Sequence, residues 1–196
     1  MTEREKMMLG LWYDANYDAQ LLREREHAAE LCYAFNHTKP GDRDRQREIL
    51  TALIPDLPDT VEILPDFLCD YGGNIRIGAH SFLNHHCYLM DGAAITLGEH
   101  VFLVSFCGLY TANHPLDAEA RNRGLEKAQP IRVGDNVWIG GHAVILPGVS
   151  IGSGSVVGAG SVVTKDLPEN VLAVGNPCRV LRAITEEDRL ELEAAP

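Results

Sequence analysis

A six-residue period in the second half of the chain constrains its fold more than any other feature. Aliphatic side chains recur there at every sixth position without a slip: Val133, Ile139, Ile145, Ile151, Val157 and Val163. Glycine follows four of them, at positions 134, 140, 152 and 158. A period of six fits neither a 3.6-residue helix nor an ordinary meander of β-hairpins, but it fits a coil in which short strands alternate with turns. We therefore predict a parallel β-helix with triangular coils, a buried aliphatic column and glycines that permit the tight corners.

A weaker copy of the period extends this β-helix toward the N-terminus. Its aliphatic positions, which include a two-residue shift, are Ile77, Leu83, Leu89, Leu97, Leu103 and Leu109. The stretch from there to Ile131 is polar and has no period. We predict that the β-helix spans residues 59–183 and that residues 110–130 leave it as an extruded loop. Because surface loops often carry function, catalytic residues are expected in this one.

The two ends of the chain predict helices. Residues 18–35 and 42–54 have apolar side chains near helical spacing, which predicts two helices within an N-terminal segment, residues 1–58. At the other end, Thr185 stands three residues before Asp188, which is a signal for a helix start. We predict a short C-terminal helix over residues 184–196, so the expected fold class is mainly β with helices at both ends.

Composition excludes several classes of function. A chain of 196 residues with 45% hydrophobic content can bury the core of one domain. Its net charge of −11 opposes binding to nucleic acid, because phosphate backbones are held by clustered Lys and Arg. No apolar run approaches the length of a membrane span, and no leader-like apolar stretch follows the first residues. Five cysteines without a CxxC pair indicate neither a disulfide framework nor a zinc finger, so we expect a cytoplasmic protein.

Several motifs resemble those of the maltose and galactoside O-acetyltransferases. They are LWYDANYD and YAFNHTKPGD near the N-terminus, NHPLDAEARN in the predicted loop, IRVGDNVWIGGHAVILPGVSIGSGSVVGAGSVVTKDLPENV in the periodic region, and GNPCRV after it. Together they cover nearly the whole chain. The resemblance implies a left-handed β-helix of hexapeptide repeats and a homotrimer with each active site between two neighbours. It also implies acetyl transfer from acetyl-CoA to a sugar hydroxyl.

His114 is the candidate catalytic residue. It lies in an Asn-His-Pro sequence at the start of the predicted loop. A sugar hydroxyl that attacks a thioester needs a base nearby, and histidine is the usual one. The resemblance makes His114 the catalytic histidine that takes the hydroxyl proton. No cysteine or serine of the motif is paired with a second base, so we expect direct transfer without an acetyl-enzyme.

Coenzyme A carries phosphates, so an acidic protein that binds it must supply local positive charge. Three basic residues lie where the periodic region ends: Lys165, Arg179 and Arg182. The resemblance assigns all three to acetyl-CoA, together with Asn84, Trp138, Gly141, Ala159 and Thr164. Trp138 stands between core positions, so its ring should face outward, where a cofactor or a neighbouring subunit would cover it.

The resemblance also implies the residues that bind the acceptor. They are Asp14, Asp70, Asn84, Asp91 and Glu126. Glutamate at position 126 favours the maltose type, because galactoside enzymes carry methionine there. Gly92 stands where galactoside enzymes have the second aspartate of an Asp-Asp pair, and Asp70 stands where they have serine. The identity of the sugar therefore stays open. The role of Glu126 also stays open, since it could orient His114 or contact the sugar.

Two other functions are compatible with such a β-helix. The γ-type carbonic anhydrases hold zinc with three histidines on the same fold, and this chain has further histidines at positions 80, 85, 86, 100 and 142. The pair of histidines five residues apart that this site needs is missing, because position 119 is Glu119. We therefore expect no metal. The other alternative is a β-helix without catalytic activity that binds sugar or serves as a scaffold.

Overall fold

The computed structural model describes residues 1–190 of the chain. Its four helices are α1 Glu3–Met8, α2 Ala19–Asn36, α3 Arg43–Leu53 and α4 Ala118–Asn122. The strands of the first half are β1 Tyr13–Asp14, β2 Glu62–Ile63, β3 Phe67–Cys69, β4 Ile75–Ile77, β5 Phe82–Leu83, β6 Cys87–Met90, β7 Ile95–Leu97, β8 Phe102–Leu103 and β9 Gly108–Tyr110. Those that follow are β10 Ala112–Asn113, β11 Leu125–Ala128, β12 Ile131–Val133, β13 Trp138–Ile139, β14 Val144–Ile145, β15 Ser150–Ile151, β16 Val156–Val157, β17 Val162–Val163, β18 Val171–Val174 and β19 Arg179–Ala183.

The strands wind into a parallel β-helix of about six turns, which confirms the predicted fold class. One face stacks β2, β5, β8, β13, β16 and β18, the second stacks β3, β6, β9, β14 and β17, and the third stacks β4, β7, β12 and β15. The register places each periodic residue over its equivalent in the next coil. Leu83 pairs with Leu103, and Leu103 pairs with Ile139.

The predicted aliphatic column forms the core. All six residues of the strict period are at most 3% exposed: Val133, Ile139, Ile145, Ile151, Val157 and Val163. Burying one such side chain contributes about 1.5–3 kcal/mol before entropy is subtracted. The period is therefore maintained because each aliphatic side chain packs between those above and below it.

The glycines after the aliphatic positions have a different role from the predicted one. A Cβ at Gly78 would lie 2.5 Å from the Glu99 backbone nitrogen in the next coil, and the φ angle of Gly78 is not positive. The left-handed conformation instead occurs two residues later, as at His80 (φ 60°) and Asn136 (φ 57°). These glycines are thus needed for close stacking of backbones, and the corner itself is turned by the residue two positions on.

The N-terminal helices cap the first coils. Both predicted helices are confirmed, and each begins after an aspartate whose carboxylate accepts backbone N–H groups, Asp18 for α2 and Asp42 for α3. Their buried side chains, including Phe35 and Leu50, join the core of the β-helix. Helix α1 was not predicted from the sequence. Within the described part of the chain, none of the helices is long and apolar enough to cross a bilayer.

The structure describes only residues 184–190 of the predicted C-terminal helix. Strand β19 continues to Ala183 and pairs antiparallel with β18. Thr185 does begin a helical turn, but it is a single 3₁₀ turn, Glu186–Asp188. Its residues are exposed, and Asp188 within it pairs with Arg182 of β19. The remainder of the predicted helix, residues 191–196, lies outside the described residues.

The predicted loop leaves the coil between β9 and β12, but it is not irregular. It contains β10, α4 and β11, and Asn113 pairs with Lys127 across the two strands. Strand β11 also pairs antiparallel with β1, where Tyr13 faces Glu126. The excursion is therefore part of a small three-stranded sheet that joins the N-terminal segment to residues 112–128.

Candidate active site

His114 follows β10 directly and so faces the start of β11. Its Nδ1 lies 3.0 Å from the carbonyl oxygen of Leu125. A carbonyl oxygen only accepts, so Nδ1 must carry the hydrogen and Nε2 must carry the lone pair when the ring is neutral. The ring is 46% exposed. His114 therefore offers a proton acceptor at Nε2 on a side chain whose orientation is fixed by the backbone.

Glu126 and Tyr13 extend this arrangement. The Oε2 atom of Glu126 lies 3.7 Å from Nε2 of His114, and its other oxygen, Oε1, accepts a hydrogen bond from the Tyr13 hydroxyl. Tyr13 is fully buried. Burial raises the pKa of Tyr13, and the nearby Glu126 carboxylate raises it further. The hydroxyl therefore stays protonated at neutral pH and donates a hydrogen bond to Glu126.

The Asp91 side chain is buried and stabilises a turn rather than facing an open site. It is fully buried, and its carboxylate accepts backbone N–H groups from Asp70, Tyr71 and Asn74 at 2.8–3.2 Å. Burial raises the pKa of Asp91, while the hydrogen bonds from the backbone lower it. The predicted direct contact between this carboxylate and a sugar is at odds with the geometry, because its oxygens are enclosed by the turn that they hold together.

Asp70 is paired with a tyrosine of the next coil. The Tyr88 hydroxyl donates to its carboxylate. Burial raises the pKa of Asp70, and this hydrogen bond opposes the rise. Because Asp91 binds the backbone of Asp70, the two aspartates form one polar cluster beside Gly92. Gly92 in turn lies next to Tyr13 and Glu126, so this cluster adjoins the His114 group.

Asp14 and Asn84 each keep one side-chain group occupied by neighbouring backbone. Oδ1 of Asp14 accepts from the backbone nitrogens of Asn16 and Tyr17 at 3.1 and 2.9 Å. Asp14 lies on β1 opposite Leu125, one residue from the pair of Tyr13 and Glu126. The Oδ1 atom of Asn84 accepts from the His85 backbone nitrogen at 2.7 Å, which orients its Nδ2 group as a donor.

Trp138 lies on the outer surface of the β-helix, as predicted. It is 51% exposed and pairs in register with Phe102, which is 46% exposed. The two rings line a groove of about 360 Å³ together with His100 and Asn136. Two exposed aromatic residues side by side form an apolar surface that a ligand or another copy of the chain would cover.

Gly141 and Ala159 lie at corresponding corners of successive coils. The Gly141 carbonyl accepts from the backbone nitrogen of Gly160 at 2.9 Å. A Cβ at Gly141 would stand 3.2 Å from the Ser105 carbonyl oxygen, so the site is narrow. The Gly141 carbonyl is therefore engaged within the chain, and neither residue has a polar side chain to offer a ligand.

The basic residues cluster in the last coil and the strand that follows it. Thr164, Lys165 and Arg179 are exposed. Arg182 differs from the expectation, because its guanidinium binds both carboxylate oxygens of Asp188 at 2.6 and 2.7 Å. That contact lowers the pKa of Asp188 to about 2. The group that was predicted to hold phosphate is thus engaged within the chain.

Apart from Asn84, the predicted residues lie in two parts of the fold. Asp14, Asp70, Asp91, His114 and Glu126 gather around the excursion, whereas Trp138, Gly141, Ala159, Thr164, Lys165, Arg179 and Arg182 follow the outer surface to the last coil. Among residues 1–190, no side-chain hydrogen bond joins the two groups. Nor do three His, Cys, Asp or Glu side chains in that range come together as metal ligands.

Tyr13 and Thr111 are the residues near His114 that sequence reasoning missed. Thr111 is buried, and its hydroxyl donates to the Met90 carbonyl and accepts from the Ala93 backbone nitrogen, at 2.6 and 3.1 Å. It thereby ties the base of the excursion to the turn that contains Gly92. No local signal identifies either residue, because their partners lie far away in the sequence.

Comparison with known proteins decides the family. The maltose acetyltransferase hexapeptide capping motif matches residues 6–58, and the hexapeptide repeat of succinyl-transferase matches residues 130–165. A protein of Staphylococcus aureus (strain MRSA252), provisionally named an acetyltransferase, is 52% identical over 95% of this chain and 94% of its own length. The chain belongs to the maltose and galactoside O-acetyltransferase family. It is a hexapeptide-repeat acetyltransferase.

Solved structures of this acetyltransferase family superpose closely on the chain. A maltose O-acetyltransferase from Clostridium difficile 630 matches with a TM-score of 0.91 and 44% identity, covering 95% of this chain and 99% of that one. A galactoside acetyltransferase in complex with coenzyme A matches with a TM-score of 0.88 and 35% identity, covering 96% and 94%. The acetyltransferase therefore shares nearly all of its architecture with these two proteins.

Proposed function

We propose that this acetyltransferase moves the acetyl group of acetyl-CoA to a sugar hydroxyl, with His114 as the general base. The observation that carries the proposal is the hydrogen bond from Nδ1 to the Leu125 carbonyl, which leaves Nε2 as the basic nitrogen. The known activities of the maltose and galactoside enzymes support the choice of a sugar, and Glu126 favours the maltose type.

The reaction is a direct transfer. The acceptor oxygen attacks the thioester carbonyl carbon as its proton passes to Nε2, and a tetrahedral intermediate forms. The carbon–sulfur bond then breaks, and the proton on Nε2 passes to the sulfur of the departing coenzyme A. Glu126 stabilises the ring while it is protonated, because its carboxylate lies 3.7 Å from Nε2.

The acceptor and the oxyanion are assigned to polar groups around His114. We propose that Asp14 and Asp70 bind sugar hydroxyls, and that the Nδ2 group of Asn84 donates to the developing oxyanion. Asp91 acts indirectly by holding the turn that shapes this end of the site. The Oε2 atom of Glu126 lies toward Nε2, so we propose that it contacts the hydroxyl that reacts.

The donor lies along the outer surface of the β-helix. We propose that the pantetheine arm follows Trp138 and the backbone of Gly141 and Ala159, and that Thr164, Lys165 and Arg179 bind the phosphates. Arg182 joins them only after it leaves Asp188. The resemblance to the maltose and galactoside enzymes implies a homotrimer, and no side-chain hydrogen bond joins the two groups within the described part of one chain, so we propose a homotrimer in which each site uses groups from two copies. The five cysteines are free thiols, which supports a cytoplasmic location.

Replacement of the base tests the mechanism. His114→Ala should reduce acetyl transfer by about two to four orders of magnitude, the range for loss of a general base. The affinity for coenzyme A should stay the same, because His114 does not hold the donor. The measurement is thiol release with a panel of glucosides and galactosides, with coenzyme A binding followed by calorimetry.

His27→Ala is the matched control, since His27 is exposed on α2. It should leave both quantities unchanged. An undiminished rate in His114→Ala would contradict the role of the base. Thiol release with no sugar of the panel would contradict the proposed acceptor class.

A further inference from the structure

One contact of the site joins parts of the chain that are 113 positions apart. The Tyr13 hydroxyl donates to Oε1 of Glu126, and the same two residues are direct partners across β1 and β11. Tyr13 is fully buried and Glu126 is 16% exposed. A hydrogen bond to a charged group that is shielded from water is among the stronger ones in proteins.

The contact fixes which oxygen of Glu126 faces the base. With Oε1 held by Tyr13, the remaining oxygen Oε2 lies toward Nε2 of His114. Without that anchor the carboxylate is free to rotate away from the ring. Among the described residues no hydrogen bond joins Tyr13 to the histidine, so we expect its influence on the reaction to pass through Glu126.

We propose that Tyr13 is a positioning residue for acetyl transfer, acting by holding the Glu126 carboxylate against His114. This inference rests on the function proposed above. Gly92 belongs to the same arrangement, because it provides the space that the pair occupies. A Cβ at Gly92 would stand 3.2 Å from the Tyr13 hydroxyl and 3.5 Å from Oε1 of Glu126.

Gly92 therefore gives a second way to disturb the pair. Its φ angle is not positive, so an alanine introduces no backbone strain of its own. Its added methyl group would press on the Tyr13 hydroxyl and displace the carboxylate without removing any polar atom. An aspartate at this position, as in the galactoside enzymes, would place a second carboxylate beside Glu126.

The test is a double-mutant cycle with steady-state kinetics. Tyr13→Phe removes only the hydroxyl and should lower kcat by about ten- to a hundredfold, the range for a hydrogen bond to a charged group. The KM for acetyl-CoA should not change. Gly92→Ala should lower kcat in the same way. In a Glu126→Ala background neither change should have a further effect, because the residue through which both act is gone.

Tyr33→Phe is the matched control, since Tyr33 is exposed on α2 and should tolerate the loss of its hydroxyl. Equal losses of kcat with and without Glu126 would overturn the inference, as would a Tyr13→Phe enzyme with the kcat of the wild type. In either case an inactive His114→Ala variant would leave the proposed function standing. An undiminished His114→Ala variant would overturn that function and this inference with it.

Discussion

At the scale of single residues, the carboxylates of this acetyltransferase have different uses that their side chains alone do not reveal. Asp91 is fully buried and accepts hydrogen bonds from three backbone N–H groups, whereas Oε2 of Glu126 lies toward Nε2 of His114. The sequence predicts both as sugar ligands, because resemblance transfers a position without its hydrogen bonds. Burial separates them, and burial depends on contacts with other coils.

The buried aspartate gives a prediction about stability. Asp91→Ala leaves three backbone donors without a partner in a site that excludes water, and each unsatisfied donor destabilises the folded state. We expect the free energy of unfolding to fall by about 1–3 kcal/mol, since removal of the buried charge offsets part of the loss. Urea denaturation followed by circular dichroism measures it.

Asp44→Ala provides the comparison, because Asp44 is exposed on α3. Its effect should stay within about 0.5 kcal/mol, as for most surface substitutions. If both variants unfolded at the urea concentration of the wild type, the carboxylate would not be holding the turn.

At the scale of elements, the strict period predicts the β-helix because every sixth side chain meets its own equivalent in the next coil. The helices α2 and α3 are also predictable, since their caps and apolar faces are local signals. The excursion is different. Strands β10 and β11 are two and four residues long, and β11 gains a partner from β1 far away. Pairings of this kind leave no periodic trace in the sequence.

The close stacking of coils gives a second prediction about stability. Gly78→Ala would force a methyl group into the backbone of the next coil, where Glu99 nitrogen and Gly98 oxygen would both lie 2.5 Å away. Overpacking against backbone typically costs about 1–3 kcal/mol. We therefore expect a lower midpoint of thermal unfolding, measured by calorimetry.

Gly73→Ala is the matched control, because a Cβ there meets nothing within 4 Å and the φ angle is not positive. It should unfold at the wild-type temperature or slightly above it. Equal midpoints for the two alanine variants would show that these glycines are not required by stacking.

At the scale of the whole molecule, a site shared between copies has a measurable consequence. If each active site combines His114 of one copy with Arg179 of another, a variant without the histidine and a variant with weakened donor binding can restore each other. We expect His114→Ala and Arg179→Ala proteins to regain part of the wild-type activity when they are unfolded together and refolded as mixed trimers. Arg179→Ala alone should bind coenzyme A more weakly, because one phosphate contact is lost.

Each variant refolded by itself is the control for the mixture. An active mixture supports a site shared between copies, and light scattering should give three times the chain mass. A mixture with no more activity than the sum of its parts would contradict the shared site, even if the trimer formed.

The short pairing between β1 and β11 also makes the arrangement around His114 depend on the first residues of the chain. A cut in the chain just after residue 14 would release the segment that carries Tyr13, while the coils would still have every aliphatic neighbour that holds them together. If Tyr13 acts as proposed, proteolysis at the amino terminus would leave the β-helix folded but would slow acetyl transfer.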